Sequence, residues 1–272
     1  MPRMMWPHLR HPREVSTMVE TQVRRWALRQ KGHPSAFLQT WPVVTISHEA
    51  EEQGIALGRT VADALGFGYW DRDLVLELAR LLDPNTGNGD ALDERTRDAI
   101  EEFLGTSLPS RDIVSADYTD LVRRIVDSIA HHGGTVFVGR GAQFLVAPRD
   151  SLRVRLVAPF DLRARTLEAS KGITFEAAKQ AIQVGDNERA AFVLHALGHD
   201  VADPAHFDLV VNSETYAREA AAGLVLMAYF AKFGQWPLTA HGLMAGRMPG
   251  RAPALPSVAS VSQGTPVTGG WA

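Results

Sequence analysis

Val43-Val44-Thr45-Ile46-Ser47-His48-Glu49-Ala50-Glu51-Glu52-Gln53-Gly54 is the stretch that decides the fold. Its first five residues are β-branched or small and predict a buried strand over 43–47. From Gly54 the apolar residues Ile55, Leu57, Val61 and Leu65 recur at helical spacing, and Gly66 closes the run. A strand that turns directly into a helix is where a parallel α/β sheet binds anions, because free backbone amides and the helix dipole meet there. A working phosphate loop also needs glycines for close approach and a nearby cation. Here the turn carries Glu49, Glu51 and Glu52, and all four lysines (Lys31, Lys171, Lys179, Lys232) lie elsewhere. Capping of the helix start by solvated carboxylates explains the glutamates without any ligand. Gly58-Arg59-Thr60 imitates the end of a Walker motif, but it falls inside the predicted helix and is read as chance.

Outward from this stretch, short apolar runs alternate with amphipathic ones. Helices are predicted over 71–82, 92–104 and 118–131, and strands over 135–138 and 152–157. Helices follow over 161–170 and 175–197, then a strand over 207–211 and a long helix over 214–233. Strands alternating with helices predict an α/β fold with a parallel sheet covered by helices on both faces. Ligands of such sheets sit at the carboxyl ends of the strands, so the loops after Ser47, Val138, Val157 and Val211 are the places to search.

Three zones are expected. Residues 1–40 form a basic extension with one helix over 14–30, residues 41–238 the main domain, and residues 239–272 a disordered tail rich in Gly, Pro, Ser and Thr. The net charge of −3 is uneven: 1–40 holds seven basic and two acidic residues, and 239–272 two arginines and no acid, which leaves −10 in the middle. That balance argues against nucleic-acid binding. No apolar run is long enough to cross a bilayer, and the start lacks the apolar stretch of a secretory signal. A soluble, cytoplasmic protein is expected. With no cysteine there is no disulfide, thiolate metal site or cysteine nucleophile, and no His/Asp/Glu set has metal spacing. The N-terminal helix carries Val15, Met18, Val19, Val23, Trp26, Ala27 and Leu28, a stripe that suits the core or a partner in a homo-oligomer.

Four stations could carry chemistry. Gly139-Arg140-Gly141 follows a strand, which suits a guanidinium holding a phosphate or a tight turn with an exposed Arg. Arg163 and Arg165 follow the third predicted strand and, two residues apart, cannot share a helix face. Asp186 and Arg189, three apart, can pair on one. Asp71 opens a helix after Tyr69-Trp70, where simple capping is an adequate account.

In chain order these pieces resemble the cytidylate kinase-like family of P-loop proteins, relatives of the nucleoside monophosphate kinases. The resemblance rests on Val43–Ser47, Gly54–Gly66, Tyr69–Val75, Val136–Ala142, Val157–Arg163, Asp186–Arg189 and Phe207–Ser213. It implies a P-loop kinase-like sheet with a helical lid, and phosphoryl transfer from ATP, with Mg²⁺, to a nucleoside monophosphate such as CMP. On that model Arg140 holds the acceptor phosphate and Asp71 sits near the acceptor nucleoside. Arg163 and Arg189 close over the transferring group from a lid at 163–189, oriented by Asp186. Where the family carries Gly-Ser-Gly-Gly-Arg, this chain has Glu51-Glu52-Gln53-Gly54-Ile55 after Ser47. The acceptor side and lid look intact and the donor loop degenerate, so a non-catalytic nucleotide-binding or regulatory protein needing no ATP stands beside the active kinase.

Overall fold

The computed structural model describes residues 12–32, 41–82, 100, 103 and 118–234. Helix α1 (Pro12–Gly32) leads to β1 (Val43–His48), α2 (Glu51–Leu65), β2 (Gly68–Asp71) and α3 (Arg72–Leu82). After α4 (Tyr118–His131) come β3 (Thr135–Val138), the short α5 (Ala142–Leu145) and β4 (Ser151–Val157). Helices α6 (Phe160–Lys171) and α7 (Phe175–Phe192), strand β5 (Leu209–Asn212) and helix α8 (Arg218–Phe233) complete the chain. The helix expected over 92–104 lies outside the described residues except for Ile100 and Phe103, and the tail at 239–272 lies wholly outside them.

All five strands are parallel, in the order β2-β3-β1-β4-β5. β1 lies at the centre, with Val44 opposite Val136 on one side and Leu152 on the other. Its residues Val43 to Ser47 are all buried, which is why none of them is charged. Ile46, Tyr69 and Val138 point towards Gly58 of α2, so α2 and its neighbour α8 cover that face. On the other face Trp70 stacks on Phe103, which meets Trp26 of α1 and His132 at the end of α4. No helix among the described residues is long and apolar enough to cross a membrane.

Strand β2 is the element the sequence conceals. It is four residues long and passes into α3 without a loop, because Asp71 ends the strand and caps the helix at once. Its outer edge is covered by α1: the Gln22 side-chain oxygen accepts from the Tyr69 amide at 3.1 Å. Val15, Val19 and Val23 of α1 are buried, and Ser16 donates to Glu77 of α3 at 2.5 Å. Val15, Val19 and Val23 of the α1 stripe are therefore engaged by the chain's own core.

Two boundaries also move. β5 starts at Leu209, not 207, since the Asp208 carboxylate takes the Arg153 amide at 2.8 Å, the Arg153 guanidinium and the Lys232 ammonium. Burial would raise the Asp208 pKa, but these donors outweigh it and hold the group below its ordinary value. α8 starts at Arg218, not 214, because Asn212 Oδ1 accepts from the Glu214 amide at 2.9 Å and folds 212–216 into a turn.

Gly58 lies mid-helix in α2, where a Cβ would stand 2.3 Å from Val138 Cγ2 and 3.2 Å from Tyr69 Cε2. Gly to Ala in a helix interior ordinarily gains about 1 kcal/mol, whereas overpacking costs about 1–3 kcal/mol. Gly58→Ala should therefore lose net stability in urea denaturation. A gain would mean that Val138 moves aside freely.

Candidate active site

The carboxyl ends of β1, β3, β4 and β5 converge on one edge of the sheet. Ser47, expected in a phosphate loop, is instead the last wholly buried residue of β1, and its Oγ accepts from Arg155 Nη1 at 2.7 Å. Arg155 Nη2 donates to Glu49 Oε1 at 3.1 Å, while Glu49 Oε2 accepts from the Ala158 amide at 3.1 Å. Burial draws the Arg155 pKa below the ordinary arginine value, and Glu49 works in the opposite direction. The sequence reading passed over Arg155, although an arginine inside an apolar parallel strand is a signal for a paired buried charge.

His48 follows Ser47 and points into the hollow between α2 and the turn after β3. A Cβ on Gly54 would lie 2.4 Å from His48 Cγ, and one on Gly139 3.8 Å from His48 Nε2. The residue is half-buried, and its buried Nδ1 has no hydrogen-bond partner. Burial first, and then the guanidinia of Arg189, Arg155 and Arg72, push its pKa down to about 3. A neutral imidazole thus fills the space behind the start of α2.

That start differs from expectation. α2 begins at Glu51, three residues before the anticipated Gly54, so Glu51, Glu52, Gln53 and Gly54 form its first turn. Glu and Gln are good helix formers, two acids in a first turn favour the dipole, and Gly54 alone does not interrupt it. The capping residue Ala50 offers no side-chain cap. Glu51 meets the Arg72 guanidinium at 3.4 Å, and Arg72 also reaches Asp73 at 3.5 Å.

The structure brings Arg163, Asp186 and Arg189 together. Arg163 Nη1 donates to both Asp186 oxygens at 2.9 Å, and Arg189 Nη1 to Asp186 Oδ1 at 3.1 Å. Arg163 leaves its Nε buried without a hydrogen-bond partner and lies over the Phe160 ring at 5.6 Å. Helix α7 then runs into one π-helical turn, Val193–Leu197, ended by Gly198. Leu197 of that turn sits against Gly141, where a Cβ would be 2.2 Å away. Gly139, Arg140 and Gly141 have φ of 79°, 59° and 66°, and Arg140 is the non-glycine in that left-handed run. The π-helical turn after α7 and the Arg140 turn are thus in contact.

Asp71 is buried. Its Oδ1 accepts from the Asp73 and Leu74 amides, both at 3.1 Å, and its Oδ2 from the Tyr69 hydroxyl at 2.9 Å. Capping, the simpler of its two expected uses, is what the geometry shows. A separate cavity of about 330 Å³ opens at the ends of β4 and β5, lined by Gln53, Leu57, Leu156, Ser213, Tyr216 and Ala217 among others. Gln53 Oε1 is buried there without a hydrogen-bond partner. Among the described residues no three His, Asp or Glu side chains group as metal ligands.

A parallel sheet in this order, helices on both faces and an arginine-bearing helical lid define a P-loop kinase-like α/β protein. The chain belongs to the cytidylate kinase-like family, whose model matches residues 43–215. A cytidylate kinase of Methanothermobacter thermautotrophicus is 30% identical over 73 residues, 27% of this chain and 45% of that protein. One of Pyrococcus horikoshii is 29% identical over 106 residues, 39% of this chain and 54% of that protein. The chain thus spans about half the length of these curated relatives. The crystal structure of an uncharacterized protein from Eubacterium ventriosum shares the fold, with a TM-score of 0.52 at 14% identity, over 70% of this chain and 98% of that one.

The lowered pKa of His48 has a consequence for acid stability. Between about pH 3 and 6.5 the unfolded chain binds a proton at this ring and the folded chain does not. The neutral ring's contribution is complete above pH 6.5 and is lost as pH falls towards 3, by on the order of 1 kcal/mol per pH unit. Urea midpoints between about pH 5 and 7, a window above most carboxylate titration, should fall with acid in the parent and flatten in His48→Gln. Equal slopes would mean that His48 takes up a proton in the folded state.

Proposed function

We propose that the protein binds a nucleoside monophosphate of the CMP type and acts as a non-catalytic, regulatory member of its family. The observation that carries this reading is the first turn of α2, where Glu51 pairs with Arg72 at 3.4 Å and the ring of His48 packs behind Gly54. Family-like phosphoryl transfer needs that space for the β- and γ-phosphates of ATP and for Mg²⁺. The residues present do not fit them: two carboxylates stand where glycine and serine amides would approach, and Ile55 stands where a cation would. A like-charge pair at about 4 Å costs about 1 kcal/mol in bulk water and about 4 at an effective dielectric of ~20. Each ~1.4 kcal/mol is tenfold in affinity.

The acceptor side supports binding. Arg140 is held at a strand's carboxyl end by two glycines in the left-handed region, and Leu197 of the turn after α7 rests against Gly141. Asp186 holds Arg163 and Arg189 ready to re-pair with a phosphate. Asp71 Oδ1 is engaged in capping and Oδ2 accepts from the Tyr69 hydroxyl. A cytoplasmic nucleotide pool is the setting this reading implies. The second reading, an active kinase using ATP and Mg²⁺, is favoured by the assembled Arg163–Asp186–Arg189 set.

Calorimetry separates the two. CMP should bind, and Arg140→Ala should weaken it tenfold or more, about 1.4 kcal/mol, with little change in the melting temperature. MgATP should give no affinity tighter than about 100 μM, equivalent to ~5.5 kcal/mol, and a coupled ADP assay should stay at background. Tighter MgATP binding with turnover that Arg163→Ala abolishes would establish the kinase instead. Combining Glu51→Gly, Glu52→Ser, Gln53→Gly and Ile55→Arg should restore MgATP binding if this turn alone excludes it.

A further inference from the structure

His48 ends β1, and its side chain spans the gap between two elements. On one side, a Cβ built on Gly54 of α2 would stand 2.4 Å from its Cγ, 2.6 Å from its Cδ2 and 2.7 Å from its Cβ. On the other, a Cβ on Gly139 in the turn after β3 would lie 3.8 Å from its Nε2. Nδ1 is buried without a hydrogen-bond partner, while the residue as a whole is half-buried. With Cγ and Cδ2 against α2 and Nδ1 sunk, the edge of the ring that remains is the one bearing Nε2, beside Gly139. The ring is neutral at ordinary pH and so carries one N–H. A buried N–H needs an acceptor, and Nδ1 has none, so the proton belongs on Nε2. The arginines at this end of the sheet are already matched: Arg72 by Glu51 and Asp73, Arg155 by Glu49, Arg163 and Arg189 by Asp186. The imidazole differs from them in having no carboxylate fixed to it and a nitrogen left over.

We propose that His48 contacts the ligand: its Nε2–H donates to the phosphate of a nucleoside monophosphate at the Gly139-Arg140-Gly141 turn, and its ring closes that end of the site, so that one phosphoryl group is accepted and a second is not. The inference rests on the monophosphate binding proposed for that turn. Arg140 supplies the charge, and His48 supplies a neutral donor of fixed direction, wedged by Gly54 behind it. A phosphate oxygen suits this N–H better than water does, because hydrogen bonds to an ionised acceptor are about twice as strong as neutral ones. The same wedge sets the limit on size. A second phosphoryl group running from Gly139 towards Gly54 needs the volume that the ring fills. His48 therefore acts on specificity from the acceptor side, apart from the glutamates in the first turn of α2.

Calorimetry on the full chain tests this with CMP, CDP, cytidine and inorganic phosphate as probes. The parent should bind CMP about tenfold or more tighter than CDP. His48→Leu, close to the ring in size but with no donor, should lose about tenfold in CMP affinity and leave cytidine binding unchanged. His48→Gln, whose amide nitrogen can stand near the place of Nε2, should keep CMP within about threefold. His48→Ala removes the wall and should bring CDP within about threefold of CMP. CMP affinity unchanged in His48→Leu, or lost equally in His48→Leu and His48→Gln, overturns the inference while leaving CMP binding in place. A parent that binds CDP as tightly as CMP does the same. If CMP fails to bind while inorganic phosphate binds and His48→Leu weakens it, the nucleotide reading falls and His48 stands as a phosphate ligand. A parent that binds neither overturns both. Should His48→Leu fail to fold, the imidazole ¹⁵N spectrum of the parent decides. CMP should move the Nε2 resonance of the ring identified by its loss in His48→Gln, and cytidine should not; an Nε2 that CMP leaves in place overturns the inference.

Discussion

A guanidinium set inside a parallel sheet must be neutralised where it stands, and Arg155 is that charge. Leaving it unpaired would cost several kcal/mol, so Ser47 Oγ and Glu49 are held against it, and Glu49 in turn takes the Ala158 amide. The carboxyl ends of β1 and β4 are tied together as a result. Side chains alternate along a strand. Once Ser47 and Glu49 face Arg155, His48 between them faces the other way, into the hollow beside Gly54 and Gly139. What that hollow can accept depends on an ion pair on the opposite face of the strand.

The lid belongs to the same charge system. Asp186 gathers Arg163 and Arg189, and Arg189 is among the charges that depress His48. Arg72, Arg155, Arg163 and Arg189 are each met by a carboxylate of the chain: Glu51 with Asp73, Glu49, and Asp186 for the last two. In a nucleotide kinase such arginines face the negative charge of substrates. Here carboxylates of the chain itself meet them. On the proposed reading, a triphosphate at α2 would meet Glu51, Glu52 and the half-buried ring of His48.

The two edges of the fold are treated differently. At β2 the Tyr69 amide on the sheet edge is met by Gln22 and a whole helix lies over the strand, which removes a site for unwanted strand pairing. α1 is therefore a layer of the fold. α8 has the converse character: its outward side carries the apolar residues that α1 turns inward.

The sequence by itself determined the parallel sheet, because buried strands and amphipathic helices differ in period and each run here keeps one period. It also determined the pairing of Asp186 with Arg189, since three residues on a helix fix their separation. It left β2 hidden, because four residues running into a helix without a turn carry no period of their own. It left the start of α2 open as well. Glu51 to Gln53 read equally as a loop with acids or as a first helical turn, and only the ion pair with Arg72, brought in from β2 and α3, selects the turn. Tertiary structure alone placed His48 and Arg155, distant in sequence, on opposite sides of one strand end. The physical reason is the same in each case: local spacing sets what a helix or strand can form, while the partner of a buried charge is chosen by how the sheet brings distant strands together.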